Sequence, residues 1–197
     1  YKEQFFLYID TWDPHEPWDP PEYYVKPYYP AYKGEIISPA YWDYKELGYS
    51  DKDVEIALAC YRGEISMIDR WFGILLERLR TLGLMENTAI LFTSDHGFYF
   101  GEHGFFGKRR FRWNNNLSFE KGWEEVHKGG KGYTYRSPLH NEVTQIPLLA
   151  YLPGEKPRRI PGLVSSPDLM PTILEMAGLV ATESVTGQAR TQALQCG

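Results

Sequence analysis

Cysteine is scarce in this chain of 197 residues, which contains only Cys60 and Cys196. One lies inside a helical pattern and the other beside the last residue, so they form neither a disulfide framework nor a zinc-ligand spacing, and they indicate no redox compartment. Apolar runs of the roughly 18 residues that a membrane span requires are also missing. We therefore expect no membrane span.

An excess of positive charge is missing too. The chain has 21 Lys and Arg residues against 26 Asp and Glu residues, which gives a formal net charge of -5. This balance gives no indication of binding to nucleic acid or to an anionic membrane, so any bound anion must be held by a local cluster. The hydrophobic content of 43% is enough for a buried core and argues against intrinsic disorder.

Three short apolar runs predict buried strands. They are Phe5 to Ile9, the run TAILFTS at 88–94, and roughly Ile146 to Leu152. Continuous apolar runs of this length are typical of strands covered on both faces, as in parallel sheets. With the helices between them, they predict an α/β fold with a mixed, mainly parallel sheet flanked by helices.

The sequence marks two helices by their ends. Ser50 is a predicted N-cap and Gly83 a predicted C-cap of a long helix, whereas Asp168 begins and Gly178 ends a shorter one. The long helix carries an apolar stripe, which fits a helix that covers a sheet or a coiled-coil seam used for oligomerisation. The stripe consists of Val54, Leu58, Tyr61, Ile65, Ile68, Phe72, Leu75, Leu79 and Leu82.

Two long segments predict loops. The stretch from Trp12 to Tyr44 is rich in proline and aromatic residues, so it is either a covering flap held by aromatic packing or a wall of an active site. The stretch from about 109 to 137 has no regular period and predicts a loop excursion.

The residues directly after a predicted strand are where an α/β protein places its ligands. Asp95 and His96 follow the run TAILFTS, and Gly97 allows the backbone to turn away. A carboxylate and an imidazole can ligate a divalent cation, although Ca²⁺, Mg²⁺ or Mn²⁺ requires further ligands. The alternative is a turn in which Asp95 is a cap and His96 bonds to the loop.

Candidate anion ligands occur in two places. Lys108, followed by Arg109, Arg110 and Arg112, could hold a sulfate or phosphate and offset charge on a leaving oxygen, or could form an exposed, solvated loop. His15 follows the first predicted strand, where it could donate to an anion or protonate a leaving group, or simply pack among the neighbouring tryptophans.

The string TSDHGFYFGEHGFFGK at 93–108 resembles the metal-binding and lysine-bearing signature of the sulfatases, a family within the alkaline phosphatase superfamily. The resemblance extends in order along most of the chain. The other matching blocks are FFLYIDTWDPHEPWDPP at 5–21, CYRGEISMIDRWFGILLERLRTLGLMENT at 60–88, HNEVTQIPLLAYLPG at 140–154, SSPDLMPTILEMAG at 165–178 and VTG at 185–187.

This resemblance implies a role for each matching residue. Asp95 and His96 would be metal ligands, usually for Ca²⁺ and in some relatives for Mg²⁺ or Mn²⁺. His15 and Lys108 would contact the sulfate ester and stabilise charge on the leaving oxygen, and His103 would form part of the substrate-binding wall. The nucleophile would be a hydrated formylglycine made from cysteine or serine.

The chain departs from the family pattern in its nucleophile. Sulfatases carry a paired aspartate and a Cys/Ser-x-Pro-x-Arg motif, and this sequence has neither. Cys60 and Cys196 lack the proline and arginine of that motif, so neither is the nucleophile. Residues 1–197 are therefore interpreted as the middle and later part of a single sulfatase-type α/β domain. We expect it to be inactive without an N-terminal part that supplies the nucleophile.

The expected function is cleavage of a sulfate ester, either a small molecule or a glycan. Two alternatives remain open. A phosphonate monoester hydrolase or phosphodiesterase of the same superfamily would share the Asp95-His96 pair and Lys108. A non-catalytic module could instead use His15 and the basic run from Lys108 to bind a sulfated glycan or another anion.

Overall fold

The structure, a computed structural model, describes residues 4–108, 110–112, 133–135 and 138–192. Its helices are α1 (Glu22–Val25), α2 (Asp51–Thr81), α3 (Asn141–Thr144) and α4 (Ser166–Met176). Its strands are β1 (Trp42–Asp43), β2 (Ile90–Thr93), β3 (Tyr99–Phe100), β4 (Phe105–Gly107), β5 (Arg110–Arg112), β6 (Tyr133–Tyr135) and β7 (Leu148–Tyr151). Within these ranges no helix is long and apolar enough to cross a membrane.

The described strands pair only in antiparallel fashion. β4 lies between β1 and β3, β5 pairs with β6, and β2 pairs with β7. In the β2–β7 ladder Ile90 lies opposite Tyr151 and Thr93 opposite Leu148. The predicted mainly parallel sheet is therefore not seen among these strands. The predicted burial on both faces is not seen either, since no residue of β2 or β7 is buried and Leu149 is 62% exposed. An apolar run indicates a strand, but its direction and burial depend on which neighbours lie against it.

The first predicted strand, Phe5 to Ile9, is a second difference. This segment joins no ladder of the described residues, and its side chains are exposed, from 50% for Phe5 to 74% for Tyr8. A strand exists only when its backbone groups bond to a neighbouring strand. The strand predicted from this run is consequently not present in the described part of the chain.

Helix α2 begins and ends where the sequence predicts. The Ser50 hydroxyl accepts from the Asp53 amide at 3.2 Å, and the Asp53 carboxylate accepts from the Ser50 amide at 2.7 Å, which is a reciprocal cap. Gly83 follows the helix with a φ of +68°, as a left-handed C-cap requires.

The predicted stripe of α2 is only partly covered. Val54 is buried, but Ile65 is 43% and Leu82 50% exposed. The buried face instead contains small residues such as Cys60 and Gly63. A Cβ on Gly63 would lie 3.1 Å from the Pro20 ring, so the small residues allow the loop before α1 to pack closely against the helix. The stripe is thus not covered along its whole length by the described residues.

The described residues divide into two compact units. The first runs up to Arg78 and from His96 to Gln145, and the second contains Leu79 to Asp95 and the residues from Ile146 onwards. Aromatic rings form the core of the first unit. The indole of Trp18 lies 5.0 Å from the rings of both Phe98 and Phe100 and 6.2 Å from Phe106.

In the second unit, Asp168 ties helix α4 to the segment that follows it. Ser165 is the N-cap, and Asp168, the predicted cap, is the third helical residue of a capping box. Its carboxylate also accepts from the Gln188 amide at 2.8 Å and from Arg190 Nε at 3.1 Å. The backbone N–H groups of Gln188 and Ser165, and then the Arg190 guanidinium, lower the pKa of Asp168 to about 2. This carboxylate is therefore ionised at neutral pH.

Candidate functional site

His15 and Lys108, 93 residues apart in sequence, are in direct contact. Lys108 Nζ lies 2.7 Å from His15 Nε2, and 3.2 and 3.1 Å from the two carboxylate oxygens of Glu16. The Lys108 and Glu16 side chains are 10% and 9% exposed, and that of His15 is 34% exposed. A largely buried ammonium group thus lies between a partly exposed imidazole and a buried carboxylate.

The hydrogen bonds define where the protons lie. His15 Nδ1 is 2.7 Å from the carbonyl oxygen of Glu16, and a carbonyl oxygen can only accept, so Nδ1 carries a hydrogen. The lone pair of the neutral ring is then on Nε2, which accepts from the ammonium group of Lys108. A single proton therefore lies between Lys108 Nζ and His15 Nε2.

The aromatic core positions both residues. Trp18 is 1% exposed and donates from its indole nitrogen to the carbonyl of Pro14 at 3.0 Å, which anchors the loop that carries His15. Lys108 directly follows β4, in which Phe106 is fully buried against Trp18. The proline- and aromatic-rich loop is accordingly both a packed flap and a wall of the candidate site.

Sequence reasoning missed two residues of this cluster, Glu16 and Tyr41. The hydroxyl of Tyr41 donates to Glu16 Oε1, and its amide donates to the carbonyl of Phe106 at 2.7 Å. A Cβ on Gly107 would lie 2.9 Å from Tyr41 Cα, so a glycine there lets the two segments approach. The sequence signals Glu16 only by its place next to His15, and nothing marks Tyr41.

Glu64 is a further buried carboxyl below this loop. It is 2% exposed, Oε1 accepts from the Asp19 amide at 3.0 Å, and Oε2 has no hydrogen-bond partner. Burial raises the pKa of Glu64 to about 8, and the nearby carboxylates of Asp13 and Asp19 act in the same direction, although the Asp19 amide opposes it. Glu64 is therefore largely protonated at neutral pH.

We expect Glu64 to make stability depend on pH. An unfolded glutamate titrates near 4.5, so between about pH 4.5 and 8 the unfolded chain binds fewer protons than the folded one. The free energy of unfolding should fall as pH rises through this window, by up to roughly 5 kcal/mol. Glu64→Gln should remove this slope in urea titrations, whereas the exposed Glu22→Gln should retain it. Equal slopes in wild type and Glu64→Gln would refute the assignment.

Asp95 and His96 are exposed residues that follow β2. The hydroxyl of Ser94 lies 3.4 Å from Asp95 Oδ1, and His96 Nδ1 lies 2.9 Å from the carbonyl of Gly97. The latter contact places the hydrogen on Nδ1 and the lone pair of the neutral ring on Nε2. The donor chemistry fits a divalent cation, but no group of three or more His, Cys, Asp or Glu residues that could hold one occurs in the described ranges. These two residues are by themselves an incomplete ligand set.

Gly97 is required by close packing. A Cβ there would overlap the carbonyl oxygen of Glu142, and the Gly97 amide donates to the Val143 carbonyl at 2.8 Å. We expect Gly97→Ala to lower the free energy of unfolding by about 1–3 kcal/mol because backbone must shift. Gly73→Ala is the matched control, since a Cβ there meets no atom within 4 Å, and in mid-helix it should raise stability by about 0.5–1 kcal/mol. Urea unfolding measures the free energy of unfolding of both variants. An unchanged value for Gly97→Ala would contradict the close packing at this position.

His103, the predicted wall residue, lies in a second cluster. Its ring stacks on that of His140 at 3.9 Å, and its Nε2 is 3.4 Å from Glu142 Oε1. The backbone N–H of Glu142, followed by the His103 imidazole, lowers the pKa of the Glu142 carboxyl. His140, which the sequence did not single out, is the stacking partner, and its amide donates to the Tyr99 hydroxyl at 3.1 Å.

The remaining residues that the sequence singled out are the arginines after Lys108 and the two cysteines. Arg109, the side chains of Arg110 and Arg112, and Cys196 lie outside the described residues. Cys60 is buried in α2, and burial raises the pKa of its thiol. A buried, protonated thiol is a poor nucleophile, which agrees with the exclusion of Cys60 on its sequence context.

Comparison with known proteins places this chain in a family. The family model described as Sulfatase matches residues 2–179. The chain therefore belongs to the sulfatase family, within the alkaline phosphatase superfamily, as the residue blocks predicted. Its fold class is the α/β fold of that family.

Individual relatives match at low identity. An arylsulfatase of Clostridium perfringens is 28% identical over 204 residues, covering 93% of this chain and 36% of that protein. An endo-4-O-sulfatase of Bacteroides thetaiotaomicron is 31% identical over 120 residues, covering 60% of this chain and 18% of that protein. A solved structure from work on glycosaminoglycan metabolism by Bacteroides thetaiotaomicron has a TM-score of 0.60 at 26% identity, covering 91% of this chain and 32% of that one. The chain thus spans about a third or less of the length of these three proteins.

Proposed function

We propose that these residues form the leaving-group side of a sulfuric ester hydrolase site. The observation that carries this proposal is the contact of 2.7 Å between Lys108 Nζ and His15 Nε2, in a His15 side chain that is 34% exposed. Membership of the sulfatase family supports sulfate esters as the substrate class. The name of the arylsulfatase agrees with an aryl sulfate, and the solved structure from work on glycosaminoglycan metabolism agrees with a sulfated glycan.

The proposed reaction is hydrolysis of ROSO₃⁻ by water to ROH and hydrogen sulfate. When the ester S–O bond breaks, its electron pair remains on the leaving oxygen, which then needs a proton. The proton shared by Lys108 and His15 is available for that oxygen, and the positive charge of the pair stabilises the developing negative charge beforehand. Bulk water returns the proton to the pair after the alcohol has left.

We propose further that Asp95 and His96 are two ligands of a divalent ion, most simply Ca²⁺, with Mg²⁺ or Mn²⁺ as alternatives. A bound ion of this kind would polarise the oxygens of an ester sulfate. The described residues provide only these two ligands, so other residues of the protein would complete the coordination shell. The proposed nucleophile is a formylglycine supplied from outside these 197 residues, since the chain contains no Cys/Ser-x-Pro-x-Arg motif.

The test is turnover by the full-length protein that carries this chain. Sulfate release from 4-nitrophenyl sulfate and from a sulfated disaccharide is compared with release of nitrophenol from a phenylphosphonate monoester and a phosphodiester. Preferred turnover of a sulfate ester supports the proposal. Preference for a phosphorus ester would assign the site to phosphoryl chemistry, and sulfated-glycan binding without any turnover would indicate a binding module.

A further inference from the structure

The buried carboxylate of Glu16 contacts both groups of the proposed proton-sharing pair. Its oxygens lie 3.1 and 3.2 Å from Lys108 Nζ, and Oε2 lies 3.5 Å from His15 Nδ1. Tyr41, from the segment before β1, donates its hydroxyl to Oε1. The Glu16 carboxylate is therefore surrounded by three polar groups. They come from His15 in the same loop, from Lys108 after β4 and from Tyr41 before β1.

Burial of a carboxylate is costly unless a positive charge and hydrogen bonds balance it. A side chain with 9% exposure has little contact with water, so its charge must be balanced by the protein. Lys108 provides a balancing charge, and Tyr41 fixes one oxygen in direction. The ammonium group in turn is held by two residues, since it contacts both carboxylate oxygens of Glu16 and His15 Nε2.

We propose that Glu16 is a positioning residue: its carboxylate pairs with the Lys108 ammonium group and directs it at His15 Nε2, so that the two side chains hold one proton ready for the leaving oxygen. This inference rests on the proposed function. Glu16 itself does not touch the substrate and transfers no proton. Its effect arises from its negative charge and from its contact with the Lys108 ammonium group, which is held between Glu16 and His15.

The first experiment measures the Lys108 amine directly. The full-length protein is treated briefly with acetic anhydride, and acetylation of Lys108 is quantified by peptide mass spectrometry, with the exposed Lys156 as the internal reference. Only the neutral amine reacts. Loss of the carboxylate in Glu16→Gln should therefore raise the relative rate at Lys108 about tenfold or more. Glu16→Asp retains the charge and should keep the low rate, and Glu22→Gln, the control, should leave it unchanged.

The second experiment measures catalysis of sulfate ester hydrolysis against pH. Without the negative charge the pair loses its proton more easily, so the alkaline limb of kcat/KM in Glu16→Gln should move about one unit to lower pH. Glu16→Asp should keep the limb in place but lower kcat about tenfold with little change in KM, because the shorter side chain holds Lys108 less well. This variant tests positioning even if Glu16→Gln does not fold.

The outcomes separate the two proposals. An unchanged acetylation rate at Lys108 in Glu16→Gln, or an unchanged kcat in Glu16→Asp, would overturn the role of Glu16 even in an active sulfatase. A protein without sulfate ester turnover, in which the acetylation rate still responds to Glu16→Gln, would refute the proposed function and leave the charge pairing of Glu16 and Lys108 in place.

Discussion

Replacement of Lys108 by methionine is expected to lower kcat/KM for a sulfate ester by about a hundredfold to a thousandfold in the full-length protein. The methionine side chain retains most of the volume but provides neither charge nor proton. His15 then lacks the donor that lies 2.7 Å from its Nε2. Steady-state kinetics with 4-nitrophenyl sulfate measures the loss.

The control for this prediction is Lys26→Met. Lys26 is an exposed lysine that pairs with Glu22 on α1, so its loss should leave turnover within about twofold of wild type, as for surface pairs that contribute little. Because Lys108→Met leaves the buried carboxylate of Glu16 without its cation, the double variant Lys108→Met/Glu16→Gln should restore stability but not activity. A loss of kcat/KM below tenfold in both Lys108→Met and the double variant would show that Lys108 is not part of the reaction.

Replacement of Phe106 by alanine should have the largest effect on stability. Phe106 is fully buried and contacts Trp18 and Phe100, and truncation of such a ring leaves a cavity that costs about 3–5 kcal/mol. Since Trp18 anchors the His15 loop and Phe106 precedes Lys108, the cavity should also loosen the contact between His15 and Lys108. Urea unfolding monitored by tryptophan fluorescence measures the first effect and turnover the second.

Phe106→Leu is the matched variant. It fills most of the space, so we expect a loss of about 1 kcal/mol and nearly normal turnover. A loss of less than about 1 kcal/mol for Phe106→Ala would mean that the aromatic cluster does not form the core that positions the site.

Local signals in the sequence predicted the local structure well. Ser50 and Gly83 mark the ends of α2 through side-chain capping and a positive φ, which depend only on neighbouring residues. The apolar runs around β2 and β7 also predicted strands at the right places.

Pairing between distant segments could not be predicted in this way. The antiparallel β2–β7 ladder and the exposed Phe5 to Ile9 segment both depend on which strand lies alongside, and an apolar run contains no such information. The division of the chain into domains likewise stays a prediction.

The candidate site was likewise only partly predicted from the sequence. The family resemblance named His15 and Lys108, and the structure brings them into contact, whereas their roles and those of Asp95, His96 and His103 remain predictions. Glu16 was missed because a buried carboxylate carries no local signal. Its position depends on residues 25 and 92 places away in the sequence.

The most direct test of the central claim is how the effect of Lys108→Met depends on the leaving group. Turnover of 4-nitrophenyl sulfate, which has a good leaving group, is compared with that of phenyl sulfate, which has a poor one. If the proton shared by Lys108 and His15 serves the leaving oxygen, Lys108→Met should impair phenyl sulfate hydrolysis at least about tenfold more than 4-nitrophenyl sulfate hydrolysis. Equal losses for the two esters would contradict this account.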